Sequence, residues 1–249
     1  MTNYIFYPIY SIIQGITEFI PISSSGHLNI LEIIVNNENS RNLLYETTAH
    51  MASLLALLLY LLKNDHFSKA NIKLNFIPIT LATIPAIIVG LTLITLQYDF
   101  VNIKLIGITS IVGAILLYIS DLKIFHKMKI ESLQLRFIIA GLFQCLAYLP
   151  GFSRSGSCII AFRLLGETRK SSSVKSLYLG IPIILLSFIS NLRNLESISL
   201  DYNLLIIFFV TFITAYLTLI FFINFINKIG FKPFVIYRII LGVLILVLF

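Results

Sequence analysis

Four stretches of the chain, residues 76–97, 105–120, 176–192 and 202–227, carry no charged side chain. A helix that crosses a bilayer needs about 20 mostly apolar residues, and these runs are 16 to 26 residues long. They read as membrane spans. Residues 233–249 form a fifth, charged only at Arg238, and residues 44–62 a sixth, in which Glu46 and His50 lie four apart on one helix face. Only 12% of the 249 residues are charged and 58% are apolar, against about 25% charged in an ordinary soluble domain, which excludes a water-soluble globule. No stretch is polar enough for a separate extramembrane unit. The expectation is an all-α polytopic membrane protein, with residues 1–249 as a single integral membrane domain. The formal charge of +7 does not indicate nucleic acid, because the basic residues lie between apolar runs and not in one stripe. Cys145 and Cys158 are too few for a disulfide framework and read as small hydrophobes. The opening Met-Thr-Asn-Tyr has no basic region and no cleavage site follows it, so no removable signal peptide is expected.

Two further apolar segments, residues 4–34 and 137–165, are interrupted by proline and a cluster of serine and glycine. The residue before a proline is pushed out of the helical region, so Ile20-Pro21 and Leu149-Pro150 should each end a helix part-way through the membrane and start a re-entrant hairpin. The two interruptions align. QGITEFIPISSSGH at 14–27 lies over QCLAYLPGFSRSGS at 144–157, with 144 − 14 = 130 and 155 − 25 = 130, and Gly113 and Gly242 preserve the offset to within a residue. The chain therefore reads as two repeats, about 1–125 and 131–249, each a hairpin followed by three spans. Three is odd, so the second half is inverted, and inverted halves set their broken helices face to face near the bilayer midplane. Twelve Lys and Arg between Lys63 and Lys232 fall on one side and only Arg41, Lys104 and Arg193 on the other, so the first side is cytoplasmic and both termini face outward.

An ionisable side chain inside a membrane is costly and marks function by default. Glu18, His27, Glu46, His50 and Arg154 meet that description. Gln14 and Glu18 share a helix face, and His27 follows a Ser-Ser-Ser-Gly turn. Turn amides at a helix start form an anion site, and the second hairpin offers the same groups plus Arg154, whose planar fork suits phosphate. Two helix starts and Arg154 supply roughly +2, against about −1 from Glu18 and about −2.5 to −3 from a terminal diphosphate. A divalent cation on Glu18, Mg2+ first and Ca2+ second, would offset the deficit. Glu46 and His50 read equally well as lining groups or as a satisfied buried pair. Arg163 and Arg238 are expected to snorkel to headgroups, and His66 and His126 to sit in loops as bystanders.

The two interrupted segments resemble the signatures of the undecaprenyl-diphosphate phosphatase family linked to bacitracin resistance: an (E/Q)xxxE stretch running into Pro-x-Ser-Ser-(Ser/Thr)-Gly-His, here 14–27, and PGxSRSGxT, here 150–158. Ile84-Pro85-Ala86 and the FVIYR at 234–238 are similar to family segments too. The resemblance implies an enzyme of the bacterial inner membrane that releases phosphate from undecaprenyl diphosphate at a site open to the outer face. It recycles the lipid carrier for cell-wall synthesis. Carried over by position, it gives catalytic places to Glu18, Ser24, His27 and Arg154, and substrate contacts to Gln14, Ser23, Ser25, Gly26, Ser153, Ser155 and Gly156. The partners it implies are a polyprenyl diphosphate and the bilayer, with no nucleic acid. Cys158 replaces a threonine, Met51-Ala52 a Leu-Gly, and Val174-Lys175 a Glu-Phe.

The residues allow in-line displacement at the terminal phosphorus, with Ser24 attacking and His27 as base, with His27 attacking, or with either activating water. Arg154 and the turn amides would stabilise the equatorial oxygens. The principal rival is a transporter or flippase of a polyprenyl phosphate, since opposed hairpins in inverted halves also form carrier sites. A phosphatidic-acid-type histidine phosphatase would need a histidine after its Ser-Arg, and none of the four histidines follows Arg154.

Overall fold

The computed structural model describes residues 3–35, 43–64, 69–96, 102–122, 130–193 and 201–249. Among these residues there is no strand, and the chain runs through ten α-helices. The first hairpin is α1 (Asn3–Thr17) and α2 (Ser24–Val35), followed by α3 (Leu43–Lys63), α4 (Lys69–Thr95) and α5 (Ile103–Ser120). The second is α6 (Leu133–Gln144), extended by a 3-10 turn at Cys145–Tyr148, and α7 (Arg154–Leu164), followed by α8 (Arg169–Arg193), α9 (Tyr202–Ile229) and α10 (Lys232–Leu248). Five helices, α3, α4, α5, α8 and α9, are long and apolar enough to cross a membrane. The chain is an all-α, multi-pass membrane protein. The remaining expected span, α10, is 17 residues, or about 26 Å of helix. The sequences at His66, His126 and Arg41 lie outside the described residues.

The helices at the interruptions end where proline chemistry requires. α1 stops three residues before Ile20 and α6 gives way to the 3-10 turn just before Leu149-Pro150. Elsewhere helices run further than the apolar runs, α4 starting at Lys69 and α8 at Arg169, where the Arg169 guanidinium pairs with Asp121.

Each hairpin is walled by a helix from the other half of the chain: α1 packs on α9 and α6 on α4. Small residues permit the approach. A Cβ on Gly15 would lie 1.9 Å from Thr214 Oγ1, and one on Gly141 would lie 2.0 Å from Ala82 O. α5 and α10 cross at a similar contact, where a Cβ on Gly242 would lie 2.7 Å from Gly107 O. In membranes such small-residue crossings substitute for a hydrophobic driving force between helices. The main core lies beneath the hairpin turns, where Phe19 and Phe152 from the two turns join Leu57, Leu117, Ile159 and Leu219.

Candidate functional site

Both turns adopt a costly backbone. Ser23 has φ 75° and Ser153 φ 78°, in the left-handed region that costs an L-residue about 1–2 kcal/mol. Each is held the same way. Ser23 Oγ accepts from Gly26 N at 3.3 Å and Ser153 Oγ from Gly156 N at 3.2 Å, so each serine caps the helix after it. Ser25 Oγ lies 3.4 Å from Ser23 Oγ, and Ser155 Oγ 3.2 Å from Ser153 Oγ. One helical turn on, a side chain returns to the capping carbonyl: His27 Nδ1 is 2.6 Å from Ser23 O, and Ser157 Oγ is 2.8 Å from Ser153 O.

That contact fixes the His27 tautomer. A carbonyl only accepts, so Nδ1 carries the proton, and in the neutral ring Nε2 presents its lone pair. The Tyr237 hydroxyl sits 2.6 Å from Nε2 and donates to it. The two rings are nearly parallel, at 7° with centroids 5.6 Å apart.

Glu18 is the meeting point of the hairpins. Its Oε2 accepts from Gln14 Nε2 at 3.0 Å and from Ser24 Oγ at 2.8 Å, and its Oε1 accepts from Arg154 Nη2 at 2.9 Å. The ion pair is buried, its side chains 12% and 6% exposed. A second tie runs from Ser155 Oγ to Ile20 O at 2.9 Å. Gly26 lies close to the second turn, where a Cβ would be 3.3 Å from Gly151 Cα. Thus Gln14, Glu18, Ser24 and Arg154 are in direct contact, while His27 is held by Ser23 and Tyr237.

The second hairpin does not build a second site. Arg154 Nη1 is buried without a partner, in space that Gly180 leaves open, because a Cβ there would lie 2.0 Å away. Gly180 stands 130 residues after His50 (180 − 50 = 130). His50 has Nδ1 3.5 Å from Gln14 Nε2 and Nε2 3.5 Å from Glu46 Oε1. Tyr148, 130 residues after Glu18, turns its hydroxyl to Ala86 O at 2.7 Å. At the positions 130 residues after Glu18 and His50 stand Tyr148 and Gly180, and Gly180 makes room for Arg154.

Arg163 and Arg238 do not snorkel. They are 2% and 0% exposed. Arg163 Nη2 donates to Asp121 Oδ1 at 2.8 Å, and its Nη1 donates to Glu167 O. Arg238 donates to main-chain oxygens of both hairpin turns. Those oxygens are freed by the irregular turns, which replaces the headgroups that a regular helix would have left as the only partners. Tyr237 and Arg238 belong to FVIYR, but only the fold places Tyr237 against His27, 210 positions away, and Arg238 against Pro21, 217 positions away, and against Gly151 and Phe152. Thr109 is another such residue: its hydroxyl donates to Pro150 O and braces the second turn. Of the departures from the family pattern, Cys158 is fully buried and donates to Gln144 Oε1 at 3.3 Å, Ala52 is in the core, and Lys175 pairs with Glu167.

The donor set constrains any metal. Among the described residues no three His, Cys, Asp or Glu side chains come together as a ligand cage, and both oxygens of Glu18 already accept hydrogen bonds. The described residues thus form no closed site of protein ligands. It is compatible with a cation that brings most of its ligands as substrate oxygens and water, the habit of Mg2+.

Two capped hairpins that meet at a buried ion pair, together with five membrane-length helices, define an integral membrane protein. The sequence profile of the bacitracin resistance protein BacA matches residues 7–244. The chain belongs to that family. Similar proteins include the undecaprenyl-diphosphatase of Pelagibacter ubique, 39% identical over 248 residues that cover 96% of this chain and 95% of that one. Those of Alcanivorax borkumensis and Idiomarina loihiensis are 35% identical over 262 residues and 34% over 263, covering 96% and 97% of both chains.

Proposed function

We propose that this protein hydrolyses undecaprenyl diphosphate to undecaprenyl phosphate and inorganic phosphate in the bacterial plasma membrane, recycling the lipid carrier for wall synthesis and conferring bacitracin resistance. The observation that carries the reading is the convergence of Ser24, Gln14 and Arg154 on Glu18, which unites both hairpins around one polar point at membrane depth. The names of the relatives weigh against carriage of the lipid without cleavage. The two hairpins and their following helices are read as inverted halves of one membrane domain, with the site open to the outer leaflet and both termini outside, as the loop charges favour.

In the reaction water, Ser24 or His27 attacks the terminal phosphorus, the bridging P–O bond breaks, and undecaprenyl phosphate leaves with the bond's electron pair; where a side chain attacks, water then cleaves its phosphorylated form to release inorganic phosphate and regenerate the side chain. Ser24 Oγ donates to Glu18, so Glu18 is the base within reach of that hydroxyl. Should His27 act as base or nucleophile, it acts through Nε2, because Nδ1 is committed to Ser23 O, and the Tyr237 hydroxyl must then yield. Arg154 turns from Glu18 to the phosphate, where its unpartnered Nη1 adds a second donor and makes the contact bidentate. Ser23 and Ser153 cap α2 and α7 by accepting from Gly26 N and Gly156 N, and Ser25 and Ser155 brace the same turns, so that the starts of both helices are held for the diphosphate. Glu18 would hold a Mg2+ or Ca2+ ion, which would neutralise charge on the phosphoryl oxygens.

The test is phosphate release from undecaprenyl diphosphate by purified protein in detergent, with and without chelator. Release that stops with chelator and in Arg154→Ala and His27→Ala supports the reading. Binding of the lipid without release favours a carrier, and activity that survives exhaustive chelation removes the metal.

A further inference from the structure

Arg238 carries a full charge into the protein interior and, among the described residues, meets no carboxylate there. It is 0% exposed. Its Nη1 donates to Pro21 O at 3.2 Å, and its Nη2 to Phe152 O at 2.9 Å, Gly151 O at 3.1 Å and Thr109 O at 3.4 Å. Its Nε is buried without a partner. Carbonyl dipoles solvate a guanidinium but do not cancel its charge, and a buried charge is tolerated only when something opposes it. The Glu18 carboxylate is already matched by Arg154, so it leaves Arg238 uncompensated.

The surroundings are shaped for this side chain. A Cβ on Gly113 would lie 2.1 Å from Arg238 Nη2, and Ser110 Oγ donates to Arg238 O at 3.1 Å. The guanidinium lies directly behind both turns. One of its oxygens, Pro21 O, is three residues before Ser24, and a Cβ on Gly156 at the start of α7 would be 3.4 Å from Nη1. This fixed charge therefore lies beside the turns that lead into α2 and α7, whose N-termini are positive as well.

We infer that Arg238 is a positioning and specificity-determining residue: without touching the ligand, it locks the two hairpin turns in register and supplies the unopposed charge that makes the site prefer a diphosphate to a monophosphate. This rests on the function proposed above, and it gives the product a reason to leave. Cleavage removes roughly one negative charge or more from the group at the site, and the attraction of a fixed cation falls in proportion.

The experiment compares wild type with Arg238→Gln and Arg238→Lys in detergent. It measures KM and kcat for phosphate release, binding of inorganic pyrophosphate and of inorganic phosphate by calorimetry, and the thermal midpoint. Arg238→Gln is expected to weaken pyrophosphate about tenfold, to weaken phosphate by clearly less, and to raise KM more than it lowers kcat. Arg238→Lys is expected to keep the pyrophosphate-to-phosphate ratio within about threefold of wild type, although its midpoint falls because an ammonium cannot reach every carbonyl. Equal weakening of both ions in Arg238→Gln, or a lowered midpoint with an unchanged ratio, would overturn the inference and leave Arg238 as a structural clamp. If Arg238→Gln does not fold, Gly113→Ala displaces the guanidinium instead, and an unchanged ratio in that variant overturns it equally. A wild type that prefers pyrophosphate but releases no phosphate from undecaprenyl diphosphate refutes the proposed function alone; one that shows no preference refutes the role of Arg238.

Discussion

Arg154 and Glu18, 136 residues apart in the chain, form a buried ion pair at 2.9 Å that joins the tips of the two hairpins. Neither partner is stable there alone. The pair is also the point at which the anion site must open, since Arg154 has to exchange a carboxylate for a phosphate.

Breaking a buried pair by removing one partner leaves an uncompensated charge and costs about 3–5 kcal/mol, whereas removing both costs far less. Arg154→Met and Glu18→Gln should therefore each lower the thermal midpoint more than the double variant does. All three should lack phosphate release. Thermal unfolding of the four proteins in one detergent gives the coupling, and additive losses would show that the pair is not a unit.

Gly180 is the space into which Arg154 Nη1 fits. An alanine Cβ would lie 2.0 Å from that nitrogen, but the nitrogen is the far end of a flexible side chain that can move. Gly180→Ala should consequently leave folding nearly intact, within about 1 kcal/mol, and reduce phosphate release at least tenfold. Retained activity would mean that the guanidinium works from another position.

Much of this arrangement was legible in the residues themselves. Charge-free runs located the spans, the prolines located the breaks in the hairpins, and the offset of 130 pointed to Ser24 and Arg154 as counterparts. The fates of Arg163 and Arg238 were not legible. A lone arginine near the end of an apolar run has the same local pattern whether it reaches headgroups or folds inward, and the choice depends on carbonyls exposed by turns far away in sequence. Tyr237 was equally hidden, because its hydroxyl gains meaning only when α10 packs beside the turn that carries His27.

Tyr237→Phe keeps the ring beside His27 and deletes the donor to Nε2. A hydrogen bond of this kind contributes about 1 kcal/mol, so kcat should fall about fivefold to tenfold with KM little changed, as the imidazole loses its set orientation. Steady-state kinetics on the purified variant decides the matter. A rise in kcat would show instead that the hydroxyl obstructs Nε2.

Outside the membrane-spanning segments, Glu167 accepts from Arg136 Nη1 at 2.7 Å and from Ser171 Oγ at 2.7 Å, and pairs with Lys175. Burial pushes its carboxyl up, but the bonds from Lys175 and Ser171 and the nearby cations outweigh that and hold it below the ordinary carboxylate value. A group depressed on folding adds stability that is complete above its unfolded pKa, about 4.3, and is lost as pH falls through the folded value. Wild type should thus lose thermal stability on going from pH 7 to below pH 4 by more than Glu167→Gln does, while the variant starts lower at pH 7. Parallel melting curves across that range would remove Glu167 from the acid response and assign it to other carboxylates.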